Sequence, residues 1–174
     1  MQRMHFVAAV GLLALAACND DPIASGMPDA PPPPATGVQA FLQVDNEQAR
    51  PGDHVRLFVR VQFGTETAER LGSYTGRLHF DAETLGWSED VAIDDGLRVT
   101  NPNGADGGEI RFAGASAGGF ADLTLYAGVF EVRKTGWLES LRLQMEELSA
   151  AGSLGNLQPS LQVAPQVFLR SAGQ

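Results

Sequence analysis

Residues 53–63 read DHVRLFVRVQF, and their alternation decides the fold. Val55, Leu57, Val59, Val61 and Phe63 are apolar, while His54, Arg56, Arg60 and Gln62 fall between them. Successive side chains of a strand point to opposite faces, so this run places one face in a core and the other in water. Phe58 interrupts the outward set and is expected to be a single exposed aromatic, which is ordinary on a protein surface.

Working outward, further strands are expected over 38–44, 74–80, 85–89, 96–100, 109–115, 123–133 and 164–170. Turn formers separate them: RPGD at 50–53, DDG at 94–96, NPNGADGG at 101–108 and AGG at 117–119. Short strands with turn signals at such regular intervals predict an all-β sandwich or barrel. In LTLYAGVFEVR, 123–133, the apolar parity switches beside Gly128, and a β-bulge at that glycine is expected to turn both halves toward one core. WLESLRLQMEEL, 137–148, carries Leu138, Leu141, Met145 and Leu148 at helical spacing, yet Leu141, Leu143 and Met145 also alternate. In an otherwise all-β pattern a strand over 138–145 is expected, since tertiary context overrides helix propensity. In RLHFDAETLGW, 77–87, Asp81 breaks a strand. Its carboxylate is expected to accept from backbone N–H groups two or three residues on, while Leu85 re-enters the core.

The first 17 residues, MQRMHFVAAVGLLALAA, combine one early Arg with an apolar run too short for a permanent membrane span, the pattern of a signal peptide. The LAAC at 15–18 resembles the lipobox of bacterial lipoproteins, which implies that Cys18 becomes the lipid-bearing first residue of a mature chain. Cys18 is the only cysteine, so this use leaves none for a disulfide, a metal or a thiol nucleophile. Residues 18–37 hold six prolines and no periodicity. They are expected to form an extended linker reaching roughly 60 Å, ahead of a domain over 38–172. Asn19 after the cysteine points, by the same resemblance, to a lipid-anchored protein of the Gram-negative outer membrane.

The 174-residue chain has a formal charge of −9, Lys134 is its only lysine, and it has no basic cluster. Nucleic acids and anionic lipid surfaces are therefore poor partners. Chemistry is scarce. GASAG at 114–118 spells G-x-S-x-G, but a nucleophile elbow needs a following helix and a later histidine. Here a strand follows, and His54 and His79 both precede Ser116, so no catalytic residue is assigned. The two histidines lack a third nitrogen or sulfur ligand for zinc. Asp94, Asp95 and Asp106, in a loop that also holds Asn101 and Asn103, are the calcium candidates, although the spacing is not that of an EF-hand. No other cofactor is expected. Trp87 and Trp137 are candidate sugar-stacking rings, whereas Tyr74 shares the inward parity of Leu78 and Phe80.

PGDHVRLFVRVQF, GSYTGRLHFDAETLGW, GEIRFAGAS and GVFEVRKTGWLESLRLQMEEL, in that order and spacing, resemble the cohesin domain of cellulosome scaffolds across about residues 38–170. The matching features are a Pro-Gly-Asp entry to an early long strand, an aromatic-Asp pair followed by a leucine, a strand ending in Phe-Ala, and a late Phe-x-Val strand. The resemblance implies a nine-stranded jelly-roll β-sandwich. It also implies a non-catalytic docking module, whose partner is a dockerin-like or other envelope protein in a setting of polysaccharide degradation. In that family the solvent face of the strand before the aromatic-Asp pair meets dockerin, often through an Asn-x-Asp pair. The matching positions are Ser73 and Thr75, with Arg77 and His79 continuing the face; hydroxyls here replace the amide and carboxylate. The alternative expectation is a carbohydrate-binding lipoprotein built on the same sandwich.

Overall fold

The computed structural model describes residues 30–170, so residues 1–29, with Cys18 and the signal-like run, lie outside it. The alternating run becomes β2 (His54–Phe63), with Val55, Leu57, Val59 and Val61 at 2% exposure or less. Each such side chain contributes on the order of 1.5–3 kcal/mol by leaving water.

Among the described residues there are eight more strands, all but β8 near the expected places: β1 (Val38–Val44), β3 (Leu71–His79), β4 (Leu85–Asp90), β5 (Leu97–Asn101), β6 (Glu109–Ala115), β7 (Thr124–Val132), β8 (Arg142–Ala150) and β9 (Leu161–Leu169). They form a five-stranded sheet in the order β4-β7-β2-β1-β9 and a four-stranded sheet in the order β5-β6-β3-β8. Every pairing is antiparallel except β1 with β9. The core between the layers is bridged by rings: Phe112 of β6 stacks on Tyr126 of β7 at 5.6 Å, and Phe80 meets Phe130 edge-on at 5.3 Å. Offset and edge-on ring pairs add to the area they bury. Tyr74 is 1% exposed, as its parity requires, and its hydroxyl donates to the Leu125 carbonyl at 2.7 Å.

The Asp81 hinge is architecture. Its carboxylate accepts from the Glu83 N–H at 2.8 Å and its carbonyl from the Thr84 and Leu85 N–H groups at 2.9 Å, while Leu85 is fully buried.

Three local expectations are corrected. The β7 bulge lies at Leu125, not Gly128: Val59 faces Tyr126 and Arg60 faces Thr124, leaving Leu125 unpaired, whereas Gly128 sits in register opposite Leu57. Gly128 has a different reason to be glycine, because a Cβ there would fall on the Tyr126 hydroxyl. Residues 138–145 are not one strand. A single helical turn, α1 (Trp137–Ser140), opens from Gly136 at φ 80°, and β8 begins only at Arg142. The helical-looking Met145 to Leu148 step is a bulge, since β3 pairing jumps from Glu147 to Met145 between Thr75 and Gly76 and both Glu146 and Glu147 face water. Phe58 is buried on the outer side of β2, with the Arg170 guanidinium 4.2 Å over its ring.

Residues 31–37 of the expected linker lie against the domain. The carbonyls of Pro34, Ala35 and Gly37 accept from the N–H groups of Thr65, Glu66 and Gly64, and Gln62 Nε2 donates to the Pro31 carbonyl at 2.9 Å. Prolines offer only carbonyls, and this loop presents the donors they need.

Candidate functional site

The outer face of the four-stranded sheet gathers most of the expected interaction residues. In the cross-strand register, Leu97, Ala115, Ser73 and Ser149 form one row; Val99, Ala113, Thr75 and Glu147 form the next. Asn101, Arg111, Arg77 and Gln144 form the third, and Glu109, His79 and Arg142 the fourth. Apart from Glu147 at the β8 edge, the first two rows are small, hydroxylated or apolar, and the last two are charged or polar. Leu97 and Val99 are 68% and 58% exposed, an unusual state for aliphatic side chains that could have faced the core. Leu154, 81% exposed and held at φ 54°, crowns the turn after β8 at the Ser73 end, where Ser149 bridges Asn156.

The charged half is tied together across three strands. Arg77 Nε donates to Glu146 at 2.6 Å, Arg77 Nη1 lies 3.4 Å from Glu109, Arg111 Nε donates to Glu109 at 2.8 Å, and His79 Nδ1 is 3.7 Å from Glu109. The hydrogen bond from Arg111, with the charges of Arg111 and Arg77, holds the Glu109 carboxyl below its ordinary range against a smaller opposing effect of desolvation. The hydrogen bond to Glu146 raises the Arg77 guanidinium above its own. Ser73 and Thr75 stand clear of this network, half-buried and beside the apolar rows.

For Trp137 the sugar-stacking expectation is corrected. Trp137 is 3% exposed in the core, its indole N–H pointing at the Ala49 carbonyl at 3.4 Å, and Trp87 is half-buried against the same core. Of the calcium candidates, Asp95 is engaged locally: its Oδ2 accepts from the N–H groups of Ala121 and Asp122 at 2.7 Å and lies 3.6 Å from Arg98. Asp94 and Asp106 join no group of three ligating side chains among the described residues. Ser116 follows β6 in a turn that leads to β7, without the helix an elbow requires.

Arg98 was missed by sequence reading. It lies on the inward side of β5, reaching the Tyr74 hydroxyl at 2.9 Å, the Thr124 carbonyl at 2.7 Å and the Asp122 carbonyl at 3.1 Å, with Phe120 below it at 4.6 Å. The alternation pointed the other way, because the apolar Leu97 and Val99 read as the core face and leave Arg98 outside.

No family model and no curated protein matches the chain. Solved structures do. A cohesin module of a family 33 glycoside hydrolase from Clostridium perfringens aligns at TM-score 0.55 and 14% identity, over 77% of this chain and 98% of that one. The OlpA cohesin of Clostridium thermocellum, solved with a dockerin, aligns at 0.54 and 16%, over 75% and 99%. The sixth cohesin of scaffoldin B from Acetivibrio cellulolyticus, solved with a dockerin mutant, aligns at 0.54 and 12%, over 77% and 99%. At these identities the likeness establishes the fold: a cohesin-type jelly-roll sandwich. The comparisons also correct the expected placement at a Gram-negative outer membrane. The three cohesins named above come from Gram-positive anaerobes, Clostridium and Acetivibrio, and are not Gram-negative outer-membrane lipoproteins.

Proposed function

We propose that this chain is a non-catalytic protein-docking module that receives a dockerin-type partner on the outer face of its four-stranded sheet. The observation that carries the reading is the division of that face. A flat half made by Leu97, Val99, Ala113, Ala115, Ser73 and Thr75 adjoins a half whose charges are already fixed in place. Exposed apolar surface beside ordered polar groups is the material of a specific protein interface. The fold adds support, because cohesins of this shape have been solved with dockerins. Fold alone does not assign a partner, so the reading stands on the face.

The amino-terminal pattern supplies the rest of the proposal: a signal over 1–17, Cys18 as the lipid-attachment residue, and a linker leading to the domain that ends near 172. Intact-mass measurement of the purified chain checks it, acylated Cys18 at the amino terminus being the expected result.

For docking, the full chain is titrated with a panel of dockerin modules. At least one is expected to bind with a micromolar or tighter Kd, and Ser73→Arg with Thr75→Arg to weaken it at least tenfold, a change of about 1.4 kcal/mol. Absence of binding across the panel, or equal binding by the double variant, would overturn the reading.

A further inference from the structure

Each sheet has two edges, and three of the four carry a proline, a bulge or an outward charge against pairing with another chain. β9 holds Pro165 and breaks register with β1 between Ala40 and Leu42. β8 is bulged and shows Glu146 and Glu147 to solvent. β4 shifts register between Trp87 and Glu89 and ends in Glu89 and Asp90. Prolines, bulges and edge charges are how soluble sheets block strand addition. β5 has no proline, bulge or outward charge, and its devices are only its shortness and one charge turned inward. Its five residues pair with β6 without a shift, it contains neither proline nor acid, and its outward side chains include the exposed Leu97 and Val99. Its one charged residue, Arg98, is folded inward onto the Tyr74 hydroxyl and the Asp122 and Thr124 carbonyls. Along the free edge runs an open cleft of about 370 Å³, with residues 96–100 on one wall and residues 90–93 and 125–127 on the other.

The register says which main-chain groups face out. The Phe80 N–H donates to the Gly108 carbonyl and the Ser116 N–H to the Gly72 carbonyl, so the even-numbered residues of β6 bond to β3. Antiparallel ladders alternate, and the odd-numbered Arg111, Ala113 and Ala115 therefore bond to Asn101, Val99 and Leu97. The N–H and C=O groups of Arg98 and Thr100 are left pointing from the open edge. They are symmetric about Val99.

From this we propose that β5 is the contact between two copies of this chain, paired antiparallel about a two-fold axis at Val99. In that register Arg98 of one copy exchanges both backbone hydrogen bonds with Thr100 of the second copy, and the reverse. The two Val99 side chains meet at a non-hydrogen-bonded position. The same surface on both copies satisfies itself, as a two-fold interface must. The result is one continuous eight-stranded sheet that leaves Ser73 and Thr75 uncovered on both halves. This inference does not depend on the docking reading.

The register is tested by cysteine pairing in the full chain with Cys18→Ser, which removes the only native cysteine. Facing Cα atoms of a non-hydrogen-bonded pair lie about 4.5 Å apart, within the span of a disulfide. Under mild oxidation Val99→Cys is expected to form a disulfide-linked dimer at least tenfold faster than Leu97→Cys, whose position is as exposed but faces Asn101 of the second copy. Adding Thr100→Pro, which deletes a free-edge N–H without touching the β6 ladder, is expected to bring the Val99→Cys rate down to the Leu97→Cys rate. Ser73→Arg with Thr75→Arg should leave it unchanged, which separates this contact from docking. Sedimentation gives an independent reading: dimer formed by the unsubstituted chain at tens of micromolar should be lost in Val99→Lys. Equal oxidation rates, a faster Leu97→Cys reaction, or identical sedimentation of the unsubstituted and Val99→Lys chains would overturn the proposal.

Discussion

Tyr74 ties the two sheets together with a single hydroxyl. It donates to the Leu125 carbonyl of the facing sheet and accepts from Arg98 on the edge strand β5 of its own sheet. Burial raises its pKa, the effect of desolvation exceeding the opposing influence of Arg98, so the hydroxyl keeps its proton and can go on donating. Tyr74→Phe leaves the ring in place but strands a buried carbonyl, at a cost of roughly 1–3 kcal/mol. The expected result is a lowered denaturant midpoint at unchanged slope in equilibrium unfolding. The sequence announced this ring as core through its parity with Leu78 and Phe80. It did not announce the bond to Leu125, because that carbonyl is turned toward the core by a bulge that parity alone could not locate. Leu123, Leu125, Ala127, Val129 and Phe130 are all apolar, so the strand reads the same with the extra residue at 125 or at 128.

At the scale of elements, β8 shows how a bulge can imitate a helix. Two consecutive exposed glutamates push Leu148 three residues beyond Met145, the spacing of one helical turn, while the strand continues through them. Pattern reading sees spacing and not pairing, and only the β3 register distinguishes the two. The same bulge brings Glu146 to Arg77, the bond that begins the charged network of β8, β3 and β6. Glu109 closes that network. A carboxyl whose folded-state pKa is depressed stabilises the fold fully above its unfolded value, and that contribution disappears as pH falls through the folded one. The melting temperature of Glu109→Gln should thus lie below that of the unsubstituted chain at neutral pH. The gap should close on acidification past the ordinary glutamate range, about pH 4. A gap that stays constant with pH would show that the network contributes packing and not charge.

Considered whole, the molecule takes in more of its proline-rich leader than composition implied. Residues 31–37 lack the apolar pattern that marks a folded segment, and what holds them is the loop after β2, whose N–H groups meet their carbonyls. Shortening the chain to begin at Val38 should lower the melting temperature by several degrees relative to a start at Ala30. It should also expose the amides of Thr65 and Glu66 to hydrogen exchange; retained protection there would show that another group satisfies them. The candidate face was legible in part. Ser73, Thr75, Arg77 and His79 follow from alternation on one strand, but their apolar neighbours Leu97 and Val99 belong to a strand more than 20 residues later in sequence, and only the β5-β6-β3 order makes them adjacent.

The parallel pairing of β1 with β9 carries a mechanical consequence. Val38 lies beside Leu161 and Val44 beside Leu169, so the chain enters this ladder at one end of the sandwich and leaves it at the other. Tension between a load on the leader and a load beyond β9 runs along both strands and shears their hydrogen bonds together, instead of unzipping them singly. A domain threaded in this way resists being pulled open along its own axis.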